Sequence, residues 1–282
     1  MATIGGAVKR SLDEQNAIFW NEPPGAALAE ATGIRDLSPG GLRRFDDEYL
    51  ALYPYLSAYV TREPLLDKRA LEIGLGYGTL GQLIANEGAL YHGIDIAETP
   101  VKVMRYRLRL MGADTQRVLR ASALRIPYSA DSFDYVFSVG CLHHVGDLEG
   151  ACAEVFRVLR PNGKAVIMLY NANSARQLLA VRWARLQLLY RRFVKRERTR
   201  PFGEHVRAWY DANTSGEAPP HTDYVSVRSV RRLFRRFASV RVEQQNFDTL
   251  VFRGGRWVIP RERLLNNVAR IFGLDLYITA VK

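Results

Sequence analysis

The chain has 282 residues, 48% of them hydrophobic, a formal net charge of +11 and only two cysteines, Cys141 and Cys152. So much apolar side chain supports a sizeable buried core and excludes an intrinsically disordered chain, and two cysteines exclude both a disulfide framework and a thiolate-rich zinc site. Residues 1–10 carry Lys9 and Arg10 without the apolar run of a secretory signal, and no stretch reaches the roughly eighteen uncharged apolar residues of a membrane-spanning helix, so a cytoplasmic protein is expected.

The charge is unevenly spread. Between Arg176 and Arg200 nine Arg or Lys stand against one acid, Glu197, so this segment alone holds a net +8. Such a concentration makes it a candidate contact for an anionic partner.

In chain order, the first predicted unit is an N-terminal helical cap, residues 1–63. It contains an aromatic, turn-rich patch, Phe19-Trp20-Asn21-Glu22-Pro23-Pro24-Gly25, and a helix over 42–60 with Asp46, Asp47 and Glu48 in its early turns. Trp20 suits either packing onto the domain edge or ligand contact. A core over 64–172 follows, in which strands and helices alternate. Strands are predicted at 70–73, 90–94, 116–121, 133–139 and 164–170. Helices are predicted at 80–87, at 99–111 with Pro100 in the first turn, and at 148–159, ended by Arg160-Pro161-Asn162-Gly163. That alternation implies an α/β fold, a doubly wound and mostly parallel sheet with helices on both faces, whose ligands bind beyond the carboxyl ends of the strands.

Residues 173–224 read as a basic helical insertion after the fifth strand. Leu179, Trp183, Leu186, Tyr190, Phe193 and Val194 recur at helical spacing, with Arg185, Arg192, Lys195 and Arg196 largely on another face. The stretch 204–223 is polar, with Pro219-Pro220 marking a loop. A helix at 229–236 and strands at 239–243 and 274–281 complete the sheet within 225–282.

The chemistry concentrates at Leu71-Glu72-Ile73-Gly74-Leu75-Gly76-Tyr77-Gly78-Thr79-Leu80-Gly81, an apolar run that breaks into alternating glycines and resumes as a helix. Glycines at every second position tolerate positive φ and let a nucleotide-like ligand lie against backbone at a helix N-terminus. Two readings compete. Gly76-Tyr77-Gly78-Thr79-Leu80-Gly81 fits the dinucleotide pattern G-x-G-x-x-G, which would make the protein an NAD-dependent oxidoreductase. The register opposes it: the glycine directly after the strand is Gly74, and counting from it puts Thr79 where the third glycine belongs. The other reading takes Gly74, Gly76 and Gly78 as G-x-G-x-G preceded by the acid Glu72.

That second pattern resembles the first motif of class I S-adenosylmethionine-dependent methyltransferases, and four further blocks agree with the family in order and spacing. Gly93-Ile94-Asp95-Ile96 resembles its second-strand motif, and 121–128 the loop that passes the adenine. Residues 131–136, continuing through Leu142-His143-His144, resemble the fourth strand and its exit, and 158–164 the turn into the fifth. Together the blocks span 64–171 and look most like the broad group of small-molecule, quinone and natural-product methyltransferases. The resemblance implies a seven-stranded Rossmann-like sheet. It also implies that Glu72, Gly74, Gly76, Gly78, Asp95, Ser122, Ala123 and Val139 surround S-adenosyl-L-methionine, with S-adenosyl-L-homocysteine as product. Asp95 would accept the ribose hydroxyls, and Glu72 would hold the glycine loop and favour the cationic end of the cofactor, or simply cap the loop. Ser122 stands where relatives usually carry an aspartate for the adenine amino group.

Methyl transfer from a sulfonium needs chiefly in-line positioning, with a base only where the acceptor must lose a proton. The candidates for that role are His143, His144 and His221. The acceptor is expected to be a small or lipid-like molecule recognised by the cap and the insertion. Tyr170, His221 and Tyr224 are the leading contacts there, beside Asn171, Asn173, His205, Trp209 and Tyr210. No magnesium-chelating set of asparagine and aspartate is recognisable, so no metal is expected. A solvated face, an anionic membrane contact through 176–200 and nucleic acid are the three explanations of the basic helix. The last has no recognition motif beyond charge, and a homodimer through the apolar stripe is compatible with each. A non-catalytic cofactor-binding partner protein is the remaining alternative to an enzyme.

Overall fold

The computed structural model describes residues 10–22, 26–34, 36–196 and 201–282. The sequence readings at 1–9, at Pro23-Pro24-Gly25 and at 197–200 lie outside the described residues. Nine strands occur among those described: β1 (Arg69–Ile73), β2 (Leu90–Asp95), β3 (Val118–Arg120), β4 (Phe133–Val139), β5 (Leu159–Tyr170), β6 (Ser239–Gln245), β7 (Leu250–Phe252), β8 (Trp257–Ile259) and β9 (Asp275–Val281). Seven form one sheet in the order β3-β2-β1-β4-β5-β9-β6, and β7 and β8 form a separate hairpin. The pairs β1 with β2, β1 with β4, β2 with β3 and β4 with β5 are parallel. β9 runs antiparallel between β5 and β6. The seven-stranded, mostly parallel sheet expected of the sequence is therefore present.

Alternation along β1 explains why Ala70, Leu71 and Ile73 are all buried although they point to both faces of the sheet. Successive side chains of a strand point to opposite faces, and here both faces are covered. Leu71 and Ile73 enter a cluster with Ile94, Phe133, Val136 and Leu276. Ala70 enters the opposite cluster with Ile84, Tyr91, Met104, Phe137 and Tyr277, and Glu72, two residues on, shares that face. Because the strand order reverses between β1 and β4, a crevice opens at their carboxyl ends.

Four local expectations change. The helix over 42–60 is two, Pro39–Leu52 and Leu56–Val60, with Pro54 at the break because it supplies no backbone donor. β5 begins at Leu159 rather than 164, since the Arg160-Pro161-Asn162-Gly163 turn is taken up as a bulge. Phe133 pairs with Leu159, Tyr135 pairs with Lys164, and Asn162 adopts φ 64°. Overlapping the polar stretch 204–223 the structure places a helix, Phe202–Tyr210, whose apolar positions Phe202, Val206, Trp209 and Tyr210 recur at helical spacing among polar residues. The hairpin β7–β8 and the helix Leu12–Phe19 carry too few alternating or periodic positions to stand out in the sequence. The basic insertion helix starts with a wide π-type turn at Arg176–Val181 and continues as Arg182–Phe193. Among the described residues no helix is long and apolar enough to cross a membrane.

Candidate active site

β1 ends in a loop that only glycine could build. Gly74, Gly76 and Gly78 have φ of 84°, 49° and 80°, where an L side chain is strained. A Cβ on Gly74 would also collide with Cys141 beyond β4, and one on Gly78 would lie 2.8 Å from Arg107 Cδ. The helix Thr79–Asn86 starts from this loop, so its unsatisfied backbone amides lie at the carboxyl edge of the sheet.

Two acids flank the loop. Asp95, at the end of β2, accepts the Leu75 amide at Oδ2 and the Ala97 amide at Oδ1, both at 2.8 Å. Burial pushes its carboxyl up to about 6, against the pull of those backbone donors. Each oxygen keeps a lone pair for a ligand hydroxyl. Glu72 lies 1% exposed, accepts a short hydrogen bond from the Tyr91 hydroxyl, and is pushed up to about 8 by burial. At neutral pH it is largely protonated until a cation approaches. Gly81 explains itself here: a Cβ would sit 2.6 Å from both Glu72 Oε2 and Tyr91 Oη.

All eight residues expected around the cofactor, from Glu72 through Val139, line a single cavity of about 260 Å³. The histidines separate. His144, in the turn Leu142–His144 after β4, lines the cavity. Its Nδ1 lies 2.7 Å from the His221 carbonyl, which assigns the proton to Nδ1 and leaves Nε2 as the acceptor. Nε2 faces Asp211 Oδ2 at 3.5 Å, and the Tyr170 hydroxyl donates to the same oxygen at 2.8 Å. His143 is fully buried between the rings of His144 and Tyr170, and burial lowers its pKa far below the usual imidazole range, so it stays neutral and off the cavity wall. The His221 side chain turns to Asp223 at 3.1 Å and contributes only its carbonyl to His144. Tyr170 lines the cavity, whereas Tyr224 stacks behind it with ring centroids 6.3 Å apart.

Further residues beyond the expected cofactor and histidine set line the cavity. Asn16, from the helix Leu12–Phe19, donates through Nδ2 to the His144 carbonyl at 2.8 Å. Trp20 packs its ring 4.7 Å from that of His144, so the aromatic patch noted in the sequence does reach the site. Asp211 follows the helix Phe202–Tyr210 directly. Tyr49 and Tyr53, from the cap, and Tyr277, from β9, complete an aromatic wall. His143, His144 and Asp211 each have a ligand atom within 4.8 Å of the others.

Comparison with known proteins agrees with this geometry. Residues 71–167 match a family described as a methyltransferase domain. Phosphoethanolamine N-methyltransferase 2 of Caenorhabditis elegans is 30% identical over 146 residues, covering 51% of this chain and 31% of that protein. A ubiquinone biosynthesis O-methyltransferase of Thiobacillus denitrificans is 33% identical over 121 residues, 43% of this chain and 52% of that one. The chain thus spans about a third to a half of the length of these curated relatives. The crystal structure of YcgJ from Bacillus subtilis superposes with a TM-score of 0.57 at 19% identity, covering 82% of this chain and 98% of its own, which shows a shared fold.

Proposed function

We propose that the chain, whose residues 71–167 match a methyltransferase-domain family, is a class I S-adenosylmethionine-dependent methyltransferase that binds S-adenosylmethionine at the glycine loop and methylates a small molecule held between that loop and the N-terminal cap. The observation that carries the reading is the convergence of the glycine loop, Glu72, Asp95 and His144 on one cavity. The residues suit the group. The glycine loop, with positive φ at Gly74, Gly76 and Gly78, lets backbone approach the amino-acid portion, and the remaining lone pairs of Asp95 suit a ribose diol. When bound, the cofactor supplies a methyl group activated by a sulfonium.

The chain's own contribution is placement and proton handling. Trp20, Tyr49, Tyr53 and Tyr170 would orient the acceptor and exclude water. His144 Nε2 would take the acceptor's proton, Asp211 would stabilise the imidazolium, and the Tyr170 hydroxyl would hold Asp211 in place. Incubation with methyl-labelled S-adenosylmethionine and a small-molecule metabolite extract tests this. Label should appear in a small product; cofactor binding without any transfer would favour the non-catalytic alternative. The comparisons give no support to an oxidoreductase.

We propose in addition that the insertion contacts an anionic membrane surface. Leu179, Trp183, Leu186, Tyr190 and Phe193 are exposed along one helix beside Arg182, Arg185, Arg192 and Lys195, the composition of an interfacial helix.

A further inference from the structure

The wall of the cavity is electrostatically one-sided. In a chain with 40 Lys and Arg against 29 Asp and Glu, the described residues lining this cavity include Asp13, Glu72, Asp95 and Asp211 and no Lys or Arg. Glu72 and Asp95 stand at the glycine loop. Asp211 and Asp13 stand away from it in sequence and fold, on the insertion and on the first helix, beside Trp20 and Tyr170.

The hydrogen-bonding capacity of that second group is just as one-sided. Asn16 is 3% exposed, and its orientation is fixed because Nδ2 donates to the His144 carbonyl, leaving Oδ1 without a partner. His144 is also 3% exposed, and its Nε2 makes no hydrogen bond. Asp211 Oδ2 faces that nitrogen at 3.5 Å. Two acceptor atoms at this separation repel through their lone pairs until a proton or an N–H donor comes between them. Asn16 Oδ1 and His144 Nε2 are therefore two acceptors without donors, and Asp211, which takes one donor from the Tyr170 hydroxyl, has further lone pairs beside them. A carboxylate or phosphate brings only further acceptors and negative charge, and an alcohol brings one donor. A protonated amine brings three donors and the complementary charge, and the aromatic wall favours a cation as well.

Building on the methyltransferase reading, we propose that the methyl acceptor is a primary or secondary amine on an apolar body, bound as its ammonium form by Asp211, Asn16 and His144. The ammonium gives one proton to His144 Nε2. The freed nitrogen lone pair then forms the bond to the methyl carbon while the carbon–sulfur bond breaks and its electron pair stays on sulfur. The product leaves as the N-methylammonium ion, and the proton on His144 passes to solvent.

Titration calorimetry on the protein saturated with S-adenosylhomocysteine tests this with three matched probes: 2-phenylethylamine, 2-phenylethanol and phenylacetate. The amine should bind about tenfold or more tighter than the alcohol, with phenylacetate weakest, as expected for a charge-assisted contact. Asp211→Asn should remove most of that advantage while leaving the alcohol and S-adenosylhomocysteine affinities unchanged. Should Asp211→Asn also weaken S-adenosylhomocysteine binding, Asp13→Asn makes the same comparison and should reduce the amine's advantage. Equal or better binding of the alcohol or the carboxylate, or an amine advantage untouched by the variant that retains S-adenosylhomocysteine affinity, would overturn the proposal. Failure of the wild-type protein to bind S-adenosylhomocysteine would instead count against the methyltransferase reading beneath it.

Discussion

Arg107 and Asp46 meet in a two-pronged ion pair, Nη1 to Oδ2 and Nη2 to Oδ1, both at 2.8 Å, that ties the cap helix Pro39–Leu52 to the helix Glu98–Leu110. The same guanidinium donates through Nε to the Tyr77 carbonyl at 2.7 Å, and Thr79 donates its hydroxyl to Asp46 at 2.6 Å. Phe45, beside Asp46, stacks on Tyr77 at 4.2 Å. The cap therefore grips the glycine loop from outside. Removing the carboxylate by Asp46→Ala strands a guanidinium that is only 3% exposed, which should cost about 3–5 kcal/mol of stability in urea unfolding. Arg107→Met, which removes the buried charge, should cost less, and a larger loss in Arg107→Met than in Asp46→Ala would contradict this account.

Glu72 makes stability and binding depend on pH in a defined direction. Its carboxyl rises from an ordinary 4.5 to about 8 in the folded chain through burial, so the folded state binds the proton more tightly than the unfolded state. The resulting stabilisation is complete below about 4.5 and is lost as pH rises toward about 8, at about 1.4 kcal/mol per unit of pKa difference at most. Glu72→Gln should flatten the fall in unfolding free energy between those limits. A cationic ligand favours the ionised form, so S-adenosylmethionine affinity should rise with pH over that window in the wild type and much less in the variant. Parallel pH profiles for the two proteins would refute the assignment.

His144 and His221 should part company when replaced. His144→Ala should lower turnover by about 10²–10⁴-fold with S-adenosylhomocysteine affinity unchanged, the loss expected of a proton acceptor. His221→Ala should change turnover little, because the carbonyl at 221 and not the ring meets His144 Nδ1. Steady-state kinetics on a methylated substrate checks both, and equal losses would mean that the histidine ring, and not its backbone, matters.

The exposed insertion helix should carry the protein onto anionic vesicles and not onto zwitterionic ones. Trp183 and Phe193 are 63% and 71% exposed. Flotation with vesicles containing phosphatidylglycerol should bring the wild type to the lipid layer at low salt, and Trp183→Ser with Phe193→Ser should weaken this severalfold while leaving turnover of a soluble acceptor intact. Absence of salt-sensitive flotation would remove the membrane from the account.

The glycine-loop side of the site is readable in the sequence because it is local. Three glycines at alternate positions and an acid at the end of the next strand are backbone requirements written within 71–95, and the structure brings Gly74, Gly76, Gly78, Glu72 and Asp95 onto one wall. The sheet is readable for a similar reason, since its central strands are buried on both faces and stand out as apolar runs. The side lined by Asn16, His144 and Asp211 is not readable. Asn16 and Asp211 are 195 positions apart in the chain and become neighbours of His144 only through tertiary packing, with no motif at either position. His143 and His144 look equivalent in sequence, yet the turn after β4 packs the His143 ring against Tyr170, with centroids 4.1 Å apart, while His144 lines the cavity.

The most direct test of the central claim is titration calorimetry of S-adenosylhomocysteine against the wild type and Asp95→Ala. The account predicts about micromolar binding to the wild type and a 10- to 100-fold loss in the variant, as the ribose loses its charged acceptor. Tight binding of NADH with no binding of S-adenosylhomocysteine, or an affinity for S-adenosylhomocysteine unaffected by Asp95→Ala, would contradict it.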